Sequence, residues 1–230
     1  MEPEIEDLQN FLNKMGAKIE GAGTNTIRIT GVKKLKDVSY NIMPDRIEAG
    51  TFLCMAGATG SKIELKGVNA SHLRPVIDKL EECRCKFNID KNSIIIDAPK
   101  KLKAVDIKTM PYPGFPTDMQ SIYVSMLSVA KGTSVVVENI FENRFKYINE
   151  LKKMGAKINI EGKIAVVKGV RKLTHAIVDA SDLRGGAALV VASLNAKGKT
   201  KVNNIEYIQR GYENLDKKLN KLGARVIIEK

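Results

Sequence analysis

The start of the chain shows two kinds of hydrophobic periodicity. Residues 4–15 place apolar side chains three and four positions apart, which predicts an amphipathic helix. These apolar side chains are Ile5, Leu8, Phe11 and Leu12. Gly16 is predicted to end this helix, as a glycine just beyond the last turn commonly does. Two short strands, residues 18–20 and 26–30, are predicted to follow, joined by a turn that contains two glycines.

The corner between this helix and its strand is repeated along the chain. The sequence MGAKI at residue 15 corresponds to MGAKI at residue 154 and LGARV at residue 222, with a degenerate copy, CRCKF, at residue 83. The four copies begin 68, 71 and 68 residues apart. A fixed period of this length indicates repeated supersecondary units.

Three apolar helices begin at corresponding places in the repeat, each with an aspartate at its start. They are DRIEAGTFLCMAGA from Asp45, DMQSIYVSMLSVA from Asp118 and DLRGGAALVVASL from Asp182. Each ends near a glycine and is followed by a β-rich run, a second helix and the repeated corner. A further strand is predicted before each aspartate, at residues 38–43, 104–109 and 175–179. The predicted unit is therefore βαβαββ and about 70 residues long.

The predicted units divide the chain unevenly. Residues 1–32 supply only the back half of a unit, and 33–100 and 101–170 are complete units. Residues 171–230 have one strand after the second helix where the other units have two. A sheet that lacks a strand has an open edge, which natural proteins usually cover or pair. We therefore expect this chain to be the C-terminal part of a longer protein whose N-terminal portion supplies the missing elements.

Composition limits the chemistry that the chain can carry. With 43% hydrophobic and 28% charged residues among 230, it is typical of a globular protein. No apolar run approaches the roughly 18 residues that span a bilayer, and the acidic N-terminus is unlike a signal peptide. Three cysteines and two histidines are poor material for a disulfide framework, a zinc centre or a histidine triad. We expect a cytoplasmic protein without a metal or other cofactor.

The net charge of +12, from 38 Lys and Arg against 26 Asp and Glu, indicates an anionic partner. Nucleic acid, an acidic membrane surface and a phosphorylated small molecule are the candidates. The lysines are dispersed and only 5% of residues are aromatic, so the stacking residues expected of a single-strand binder are not interleaved with the basic ones. A lysine-rich solvated surface also explains such a charge.

The stretch PYPGFPTDMQ, residues 111–120, is the strongest candidate for a functional site. Its prolines fix an extended approach to Asp118, which stands where a helix opens. An aspartate in this position is most often an N-cap. Helix N-termini also attract phosphate and carboxylate groups, for which arginine is a bidentate ligand. Arginines recur near the helix starts and indicate an anion site as a group, although each taken singly suits a surface ion pair: Arg46, Arg144, Arg184 and Arg210.

Five motifs in matching order resemble the enolpyruvyl transferase family, in particular the UDP-N-acetylglucosamine 1-carboxyvinyltransferases of peptidoglycan synthesis. The motifs are PDRIEAGTFL, PGFPTDMQ, IFENRF, SDLRGGAALV and RGYENL. The resemblance extends from Glu2 to the end of the chain, and the related enolpyruvylshikimate phosphate synthases fit the motifs less well. It implies an enzyme of two domains, each made of three βαβαββ units in an inside-out α/β barrel, with the active site between the domains.

The resemblance also implies a reaction and roles for individual residues. Enolpyruvyl would pass from phosphoenolpyruvate to the 3-hydroxyl of UDP-N-acetylglucosamine, releasing phosphate through a tetrahedral adduct, in the first committed step of peptidoglycan synthesis. Asp118 would contact the sugar hydroxyl and take its proton, and Ile140 would contact the nucleotide sugar through its backbone. Arg184 and Arg210 would hold phosphoenolpyruvate and its adduct, with Arg210 in a catalytic role. The other implied residues are Arg144, which would support this pocket, and Asp45 and Asp182 at its edge.

Some catalytic groups of the family do not occur in this sequence. Members carry an N-terminal domain with a Lys-Asn pair and a loop whose Cys or Asp donates a proton, and none of the three cysteines here lies in such a motif. By the family's layout, residues 1–43 would finish the N-terminal domain and 44–230 would form the C-terminal catalytic half. We therefore expect the missing N-terminal part as a partner and little activity from this chain alone.

Two other functions fit the sequence. One is a basic βαβαββ-repeat module that binds nucleic acid without catalysis, for which affinity should fall steeply with salt. The other is a structural or regulatory partner that uses an exposed interdomain face. If the transferase interpretation holds, neither nucleic acid nor membrane is expected as a partner.

Overall fold

The computed structural model describes residues 1–229. The helices are α1 (Pro3–Lys14), α2 (Arg46–Thr59), α3 (Arg74–Glu82), α4 (Gln120–Leu127), α5 (Ile148–Lys153), α6 (Leu183–Asn195), α7 (Glu206–Gln209) and α8 (Leu215–Lys221). The strands are β1 (Lys18–Glu20), β2 (Arg28–Thr30), β3 (Lys62–Lys66), β4 (Lys86–Asp90), β5 (Ser93–Asp97), β6 (Ile107–Lys108), β7 (Thr133–Val137), β8 (Lys157–Glu161), β9 (Ile164–Lys168), β10 (Ile177–Asp179) and β11 (Lys201–Asn203). None of the helices within the described residues is both long enough and apolar enough to cross a bilayer.

The helices α2, α4 and α6 form the centre of the fold, and each packs against the other two. Their sequences leave almost no polar face, and every residue of α4 is buried. A helix that is hydrophobic on all sides is stable only inside a protein or a membrane, so these three helices pack together. They are the helices that begin at the repeated aspartates.

The strands form sheets outside the three central helices. The largest sheet has the order β6-β7-β9-β8, with β6 parallel to β7 and the other pairs antiparallel. The others are an antiparallel β3-β5-β4 sheet, a parallel β10-β11 pair and the β1-β2 hairpin. In β7 the alternate residues Ser134 and Val136 are buried, as expected for a sheet with one face on the core. With helices inside and sheets outside, the predicted inside-out α/β fold is confirmed.

The second repeat unit contains every element predicted for it. It runs β6, α4, β7, α5, β8, β9, which is the βαβαββ order. The first unit runs α2, β3, α3, β4, β5, and the last runs β10, α6, β11, α7, α8. Each of these two units therefore lacks one strand that the sequence pattern predicted.

The strand predicted at residues 38–43 is wrong, because these residues form neither helix nor strand. Polar groups of the segment contact α1 instead of β3. The Tyr40 hydroxyl donates to the Asp7 carboxylate at 2.8 Å, and the Met43 N–H donates to the other Asp7 oxygen at 3.4 Å. Held by α1, the segment does not make the parallel pairing that β6 and β10 make with β7 and β11.

The strand predicted near the end of the chain is also wrong, since residues 224–229 form neither helix nor strand. The Asn220 amide donates to the Val226 carbonyl at 2.8 Å and accepts from the Val226 N–H at 2.9 Å. In the first corner the Asn13 amide likewise donates to the Ile19 carbonyl at 2.7 Å and accepts from the Ile19 N–H at 2.8 Å, so the first and last corners are equivalent. The difference is that β1 has β2 beside it. Within the described chain no strand lies beside residues 224–229, and a strand is stabilised by its ladder of partners.

The degenerate corner keeps the backbone conformation of the repeat without a glycine. The φ angles are 101° at Gly16, 87° at Gly155 and 92° at Gly223, and the corresponding Arg84 has φ 77°. This left-handed region costs a residue with a Cβ roughly 1–2 kcal/mol. Arg84 is therefore a strained position that the repeat imposes.

Replacing Arg84 by glycine should raise the free energy of unfolding by about 1 kcal/mol, because the relieved strain exceeds the additional backbone entropy that glycine loses. Urea unfolding followed by circular dichroism measures this change. Arg84→Ala is the matched control, since it removes the same charge but keeps the Cβ, and its stability should stay near that of the parent. Equal stabilisation by both substitutions would contradict the strain argument.

The cysteines lie inside the fold. Cys54, Cys83 and Cys85 are free and buried. Burial raises the pKa of the Cys83 and Cys85 thiols to about 12. Because the thiolate is the reactive form, these side chains are inert near neutral pH and contribute to packing.

Candidate functional site

The three repeated aspartates lie at the N-terminal ends of the central helices. The Asp45 carboxylate caps α2 by accepting from the N–H groups of Ile47 at 2.7 Å and Glu48 at 2.9 Å. The Asp182 carboxylate caps α6 by accepting from the Gly185 N–H at 2.7 Å. These contacts satisfy backbone donors that the first turn of a helix leaves free. Asp45 and Asp182 are therefore N-caps.

Asp118 is used differently. It lies in a 3₁₀ turn, Thr117–Met119, that leads into α4, and both of its carboxylate oxygens accept from arginines. Arg144 Nη2 lies 2.6 Å from Asp118 Oδ1, and Arg184 Nη2 lies 3.0 Å from Asp118 Oδ2. The Asp118 side chain is 39% exposed, against 20% for Arg144 and 16% for Arg184. We call Asp118, Arg144 and Arg184 the Asp118 cluster. Because the aspartate is the most exposed of the three side chains, a ligand can reach the cluster from its side.

Packing fixes the proline-rich approach to this turn. The Met110 N–H donates to the Phe115 carbonyl at 3.0 Å. The buried Phe115 ring packs edge-on against Tyr123 of α4, with 5.0 Å between ring centroids. The segment just before Asp118 is thereby anchored to the helix that follows it.

A hydrogen-bonded pair of buried hydroxyls, from Tyr212 and Thr51, supports the Arg184 guanidinium. Its Nη1 lies 3.4 Å from the Tyr212 hydroxyl, which lies 2.8 Å from the Thr51 hydroxyl of α2. The Arg184 carbonyl accepts from the Ser121 hydroxyl of α4 at 2.9 Å. Arg184, itself on α6, therefore contacts α4 directly through Ser121 and is linked to α2 through the Tyr212 hydroxyl.

Arg144 lies on the loop that follows β7. Its guanidinium carbon lies 4.8 Å from the centroid of the Phe141 ring, within the range of a cation–π contact. Ile140 and Phe141 are 39% and 47% exposed on the same loop. The loop thus presents an aromatic ring and an apolar side chain near the Asp118 cluster.

The charges of the Asp118 cluster determine its protonation. Burial raises the pKa of the Asp118 carboxyl, but the charges and hydrogen bonds of Arg184 and Arg144 outweigh burial and hold the pKa below its ordinary value of 3.8. Burial lowers the pKa of Arg184, but Tyr212 and Asp118 raise it by more. At neutral pH one carboxylate therefore faces two guanidinium groups, and the excess positive charge suits an anion.

Two cavities lie away from the Asp118 cluster. A groove of about 1360 Å³ is lined by β11, α8 and residues 225–229, and a smaller one of about 540 Å³ lies between α3 and β6–β7. The residues of the Asp118 cluster line neither of these two. Neither cavity therefore encloses the cluster, in which the aspartate is the most exposed of the three side chains.

Comparison with known proteins identifies the family. The sequence profile of EPSP synthase, 3-phosphoshikimate 1-carboxyvinyltransferase, matches residues 1–219. The chain belongs to the EPSP synthase family. Within this family it is 55% identical over 225 residues to UDP-N-acetylglucosamine 1-carboxyvinyltransferase 1 of Caldanaerobacter subterraneus subsp. tengcongensis, a match that covers 98% of this chain and 54% of that relative. The chain thus spans about half the length of this curated relative.

Other members of the EPSP synthase family agree with this assignment. The chain is 54% identical over 221 residues to UDP-N-acetylglucosamine 1-carboxyvinyltransferase of Desulfofundulus thermocisternus, covering 96% of this chain and 91% of that relative. The enolpyruvyl transferase NikO of Streptomyces tendae has a TM-score of 0.87 at 27% identity, covering 98% of this chain and 54% of that one. EPSP synthase of Acinetobacter baumannii, at 18% identity and a TM-score of 0.68 over 93% of this chain and 53% of that one, shares the fold. The family resemblance found in the motifs is confirmed.

Of the predicted site residues of this EPSP synthase family chain, the structure brings three together, namely those of the Asp118 cluster. Asp45 and Asp182 lie at neighbouring helix ends but use their carboxylates as caps. Ile140 lies on the loop that follows β7, which we call the Phe141 loop, and its N–H donates to the Glu138 carboxylate at 2.8 Å. Arg210 is exposed between α7 and α8, and the ion pairs of Asp118 are made by other arginines. The roles assigned to these residues stay predictions.

Three residues that support the site were not predicted from the sequence: Glu138, Tyr212 and Thr51. Glu138 is 1% exposed, and a signal for it was present, because it ends the apolar run of β7. A charged residue directly after a buried strand is seldom fully buried without partners. Tyr212 belongs to the RGYENL motif, but no sequence pattern indicates that its hydroxyl reaches Thr51.

The lowered pKa of Asp118 predicts an acid-sensitive contribution to stability. A carboxyl whose pKa is lower in the folded state stabilises the fold at pH values above its unfolded pKa, and this stabilisation is lost as pH falls through the folded value. The parent should therefore exceed Asp118→Asn in free energy of unfolding by about 1 kcal/mol at pH 7, a modest value because the carboxylate is partly exposed. The difference should shrink steadily below about pH 4.

Urea unfolding of both proteins between pH 7 and pH 3 measures this difference. Asp78→Asn is the matched control, because it weakens an exposed pair with Arg74 on α3 and should have a smaller effect at every pH. A difference for Asp118→Asn that stays constant with pH would contradict the assigned ion pairs.

Proposed function

We propose that this chain is part of an enolpyruvyl transferase that moves enolpyruvyl from phosphoenolpyruvate to the 3-hydroxyl of UDP-N-acetylglucosamine, the first committed step of peptidoglycan synthesis. The observation that carries the proposal is the Asp118 cluster, one ionised carboxylate between two guanidinium groups at the N-terminal ends of the central helices. Both substrates are anions, and arginines together with helix N-termini favour phosphate and carboxylate. The relatives that carry this name support the choice of substrates.

Asp118 can serve the sugar hydroxyl while its arginines remain bound. Each carboxylate oxygen has two lone pairs, and each accepts one arginine N–H in this structure. A lone pair therefore remains to accept the 3-hydroxyl proton as the sugar oxygen bonds to C2 of phosphoenolpyruvate. The C2=C3 π electrons take up a proton at C3 from an acid that we place in the uncovered part of the enzyme, which gives the tetrahedral adduct. Phosphate then leaves C2 as a C3 proton is lost, and the double bond forms again. Because the pKa of Asp118 is held low, it is a weak base, and we place the proton transfer late, when the sugar oxygen has already become acidic.

The remaining roles follow the same proposal. Arg184 and Arg210 would hold phosphoenolpyruvate and its adduct, with Arg144 orienting Asp118. Ile140 would contact the nucleotide sugar through the backbone of its loop. The capping residues Asp45 and Asp182 would border the pocket and direct the helix ends towards it.

The rest of the enzyme is proposed to complete the site. We propose that residues 1–43 end a preceding domain and that 44–230 form the catalytic half, with the buried Arg46 joining the two through Glu2 at 2.6 Å and Glu4 at 2.8 Å. We also propose that the protein acts in the cytoplasm, where nucleotide sugars are made. A chain about half as long as the Caldanaerobacter relative is expected to need the remaining half for turnover.

Phosphate release tests the proposal. This chain, the part of the Caldanaerobacter relative that it does not cover, and the two together would be incubated with phosphoenolpyruvate and UDP-N-acetylglucosamine. We expect release only from the mixture, and binding of UDP-N-acetylglucosamine to the mixture by calorimetry. Release by this chain alone would overturn the claim that it carries only part of the catalytic groups.

A folded mixture that neither turns over nor binds the nucleotide sugar would overturn the proposed function. In that case, salt-sensitive affinity for nucleic acids of unrelated sequence would favour the binding module that the net charge allows. A stable complex of the two parts without turnover would favour a structural role.

A further inference from the structure

Glu138 is a buried carboxylate with four hydrogen-bond donors around it. It follows β7 and is 1% exposed. Its Oε1 accepts from the Thr109 hydroxyl at 2.9 Å and from the N–H groups of Ile140 at 2.8 Å and Phe141 at 3.1 Å. Its Oε2 accepts from the Thr117 hydroxyl at 3.0 Å.

Within the described chain no lysine or arginine forms an ion pair with Glu138. The four hydrogen bonds are therefore the contacts that stabilise its buried carboxylate. Burying a carboxylate is costly unless its oxygens are satisfied, and a partly satisfied one is worse than an apolar side chain. The four donors come from three segments, the end of β6, the turn before α4 and the loop after β7. Glu138 therefore fixes these three segments relative to one another.

Two of these segments lead directly to Asp118. Thr117 is its neighbour in the chain, so the contact at Oε2 fixes the turn that carries Asp118. Phe141, held through its N–H, places its ring 4.8 Å from the Arg144 guanidinium, which lies 2.6 Å from the Asp118 carboxylate. One side chain thus holds both members of the Asp118–Arg144 pair.

We infer that Glu138 is a positioning residue that sets the geometry of the Asp118–Arg144 pair by holding the Thr117 turn with one oxygen and the Phe141 loop with the other. Arg184 reaches Asp118 from α6, supported by Tyr212, and does not depend on Glu138. Loss of Glu138 should therefore loosen one arginine of the cluster and leave the other in place. The consequence for substrate rests on the proposed function of Asp118, whereas the geometry does not.

The test is an NMR titration of the Asp118 side-chain carbon in the parent chain and in Glu138→Ala, without any substrate. If Arg144 loosens, the measured pKa of Asp118 should rise in Glu138→Ala towards its ordinary value. Glu138→Gln should show a smaller rise, because its amide oxygen still accepts from the loop and its NH₂ group can donate to the Thr117 hydroxyl. A role in stability alone would lower the melting temperature and leave the pKa of Asp118 unchanged.

Two controls separate positioning from general damage. Val136→Ala removes buried apolar volume from β7 and should lower stability without moving the pKa of Asp118. Glu161→Ala removes an exposed carboxylate from the end of β8 in the same sheet and should change neither. If Glu138→Ala does not fold, Thr117→Val cuts the Oε2 contact alone and should still raise the pKa of Asp118.

Calorimetry with UDP-N-acetylglucosamine, on the mixture with the uncovered part of the relative, separates this inference from the proposed function. We expect Glu138→Ala to weaken binding at least roughly tenfold, as displacement of a ligand-contacting group does. A raised pKa together with a parent that does not bind would support positioning and remove the proposed function. An unchanged pKa in folded Glu138→Ala and Thr117→Val proteins would overturn the positioning role.

Discussion

Replacing Asp118 by asparagine is expected to lower turnover by about a hundredfold or more, the typical contribution of a positioned proton acceptor. Asparagine has nearly the same shape and can still accept a hydrogen bond from one arginine, but it cannot take the sugar proton that we propose Asp118 accepts. Binding of UDP-N-acetylglucosamine should therefore change much less than turnover. The measurement is phosphate release by this chain together with the uncovered part of the Caldanaerobacter relative, with binding followed by calorimetry.

Asp106→Asn is the matched control for this substitution. Asp106 is an exposed aspartate of the same repeat unit, and its carboxylate accepts from the Val135 N–H at 2.7 Å, a contact that asparagine can preserve. Its turnover should equal that of the parent. An Asp118→Asn enzyme with parental turnover would show that Asp118 only organises its arginines, and the proton acceptor would then have to lie in the other half of the enzyme.

The centre of the fold could be predicted because it depends on local sequence. The apolar stretches from Asp45, Asp118 and Asp182 have almost no polar face, which favours interior helices, and the repeat period placed them at equivalent positions. The corner at Arg84 was recognisable although it lacks glycine, because the residues around it keep the pattern. Its φ of 77° shows that the repeat, not the residue, sets the backbone there.

The failed strand predictions concern segments whose state depends on a partner. Residues 38–43 have the composition of a strand, but hydrogen bonds to Asp7 of α1 decide their conformation. Residues 224–229 have the same corner as β1 and lack only a neighbouring strand within the described chain. Strand propensity reflects how well side chains fit the surface of a sheet. It cannot specify whether a neighbouring strand is available to pair with the segment.

The candidate site was predictable to the extent that it follows the repeat. Recurrence selected three aspartates and four arginines, and of these the structure brings Asp118, Arg144 and Arg184 together. It could not indicate that Asp118 alone gives up the capping role, because that depends on an arginine from a loop 26 residues later. Glu138 ends the apolar run of β7, which was a signal, but its four donors could not be predicted because they come from segments that only the folded sheet brings together.

The substitution Gly169→Ala is expected to destabilise the chain by about 3 kcal/mol or more, at the upper end of the cost of overpacking. Gly169 follows β9, and its N–H donates to the Gly132 carbonyl at 3.0 Å. A Cβ at this residue would lie 1.7 Å from the Ala130 carbonyl oxygen and 2.8 Å from the Ala130 carbonyl carbon. Backbone atoms cannot turn aside as a side chain can, so the turn after α4 or the end of β9 must move. Urea unfolding measures the loss.

The repeat provides a matched control, Gly31, and an equivalent residue, Ala98, from which the opposite result would be predicted. Gly31 holds the corresponding place after β2 and would meet nothing within 4 Å, so Gly31→Ala should change the free energy of unfolding by less than about 0.5 kcal/mol. Ala98, at the equivalent place after β5, already carries a Cβ, so sequence comparison alone predicts that alanine is tolerated at residue 169. The difference arises because α2 continues to Thr59, whereas α4 ends at Leu127 and leaves Ala130 in the turn against β9. Equal stability of Gly169→Ala and Gly31→Ala would mean that this turn yields freely, and would contradict the packing of α4 against its sheet.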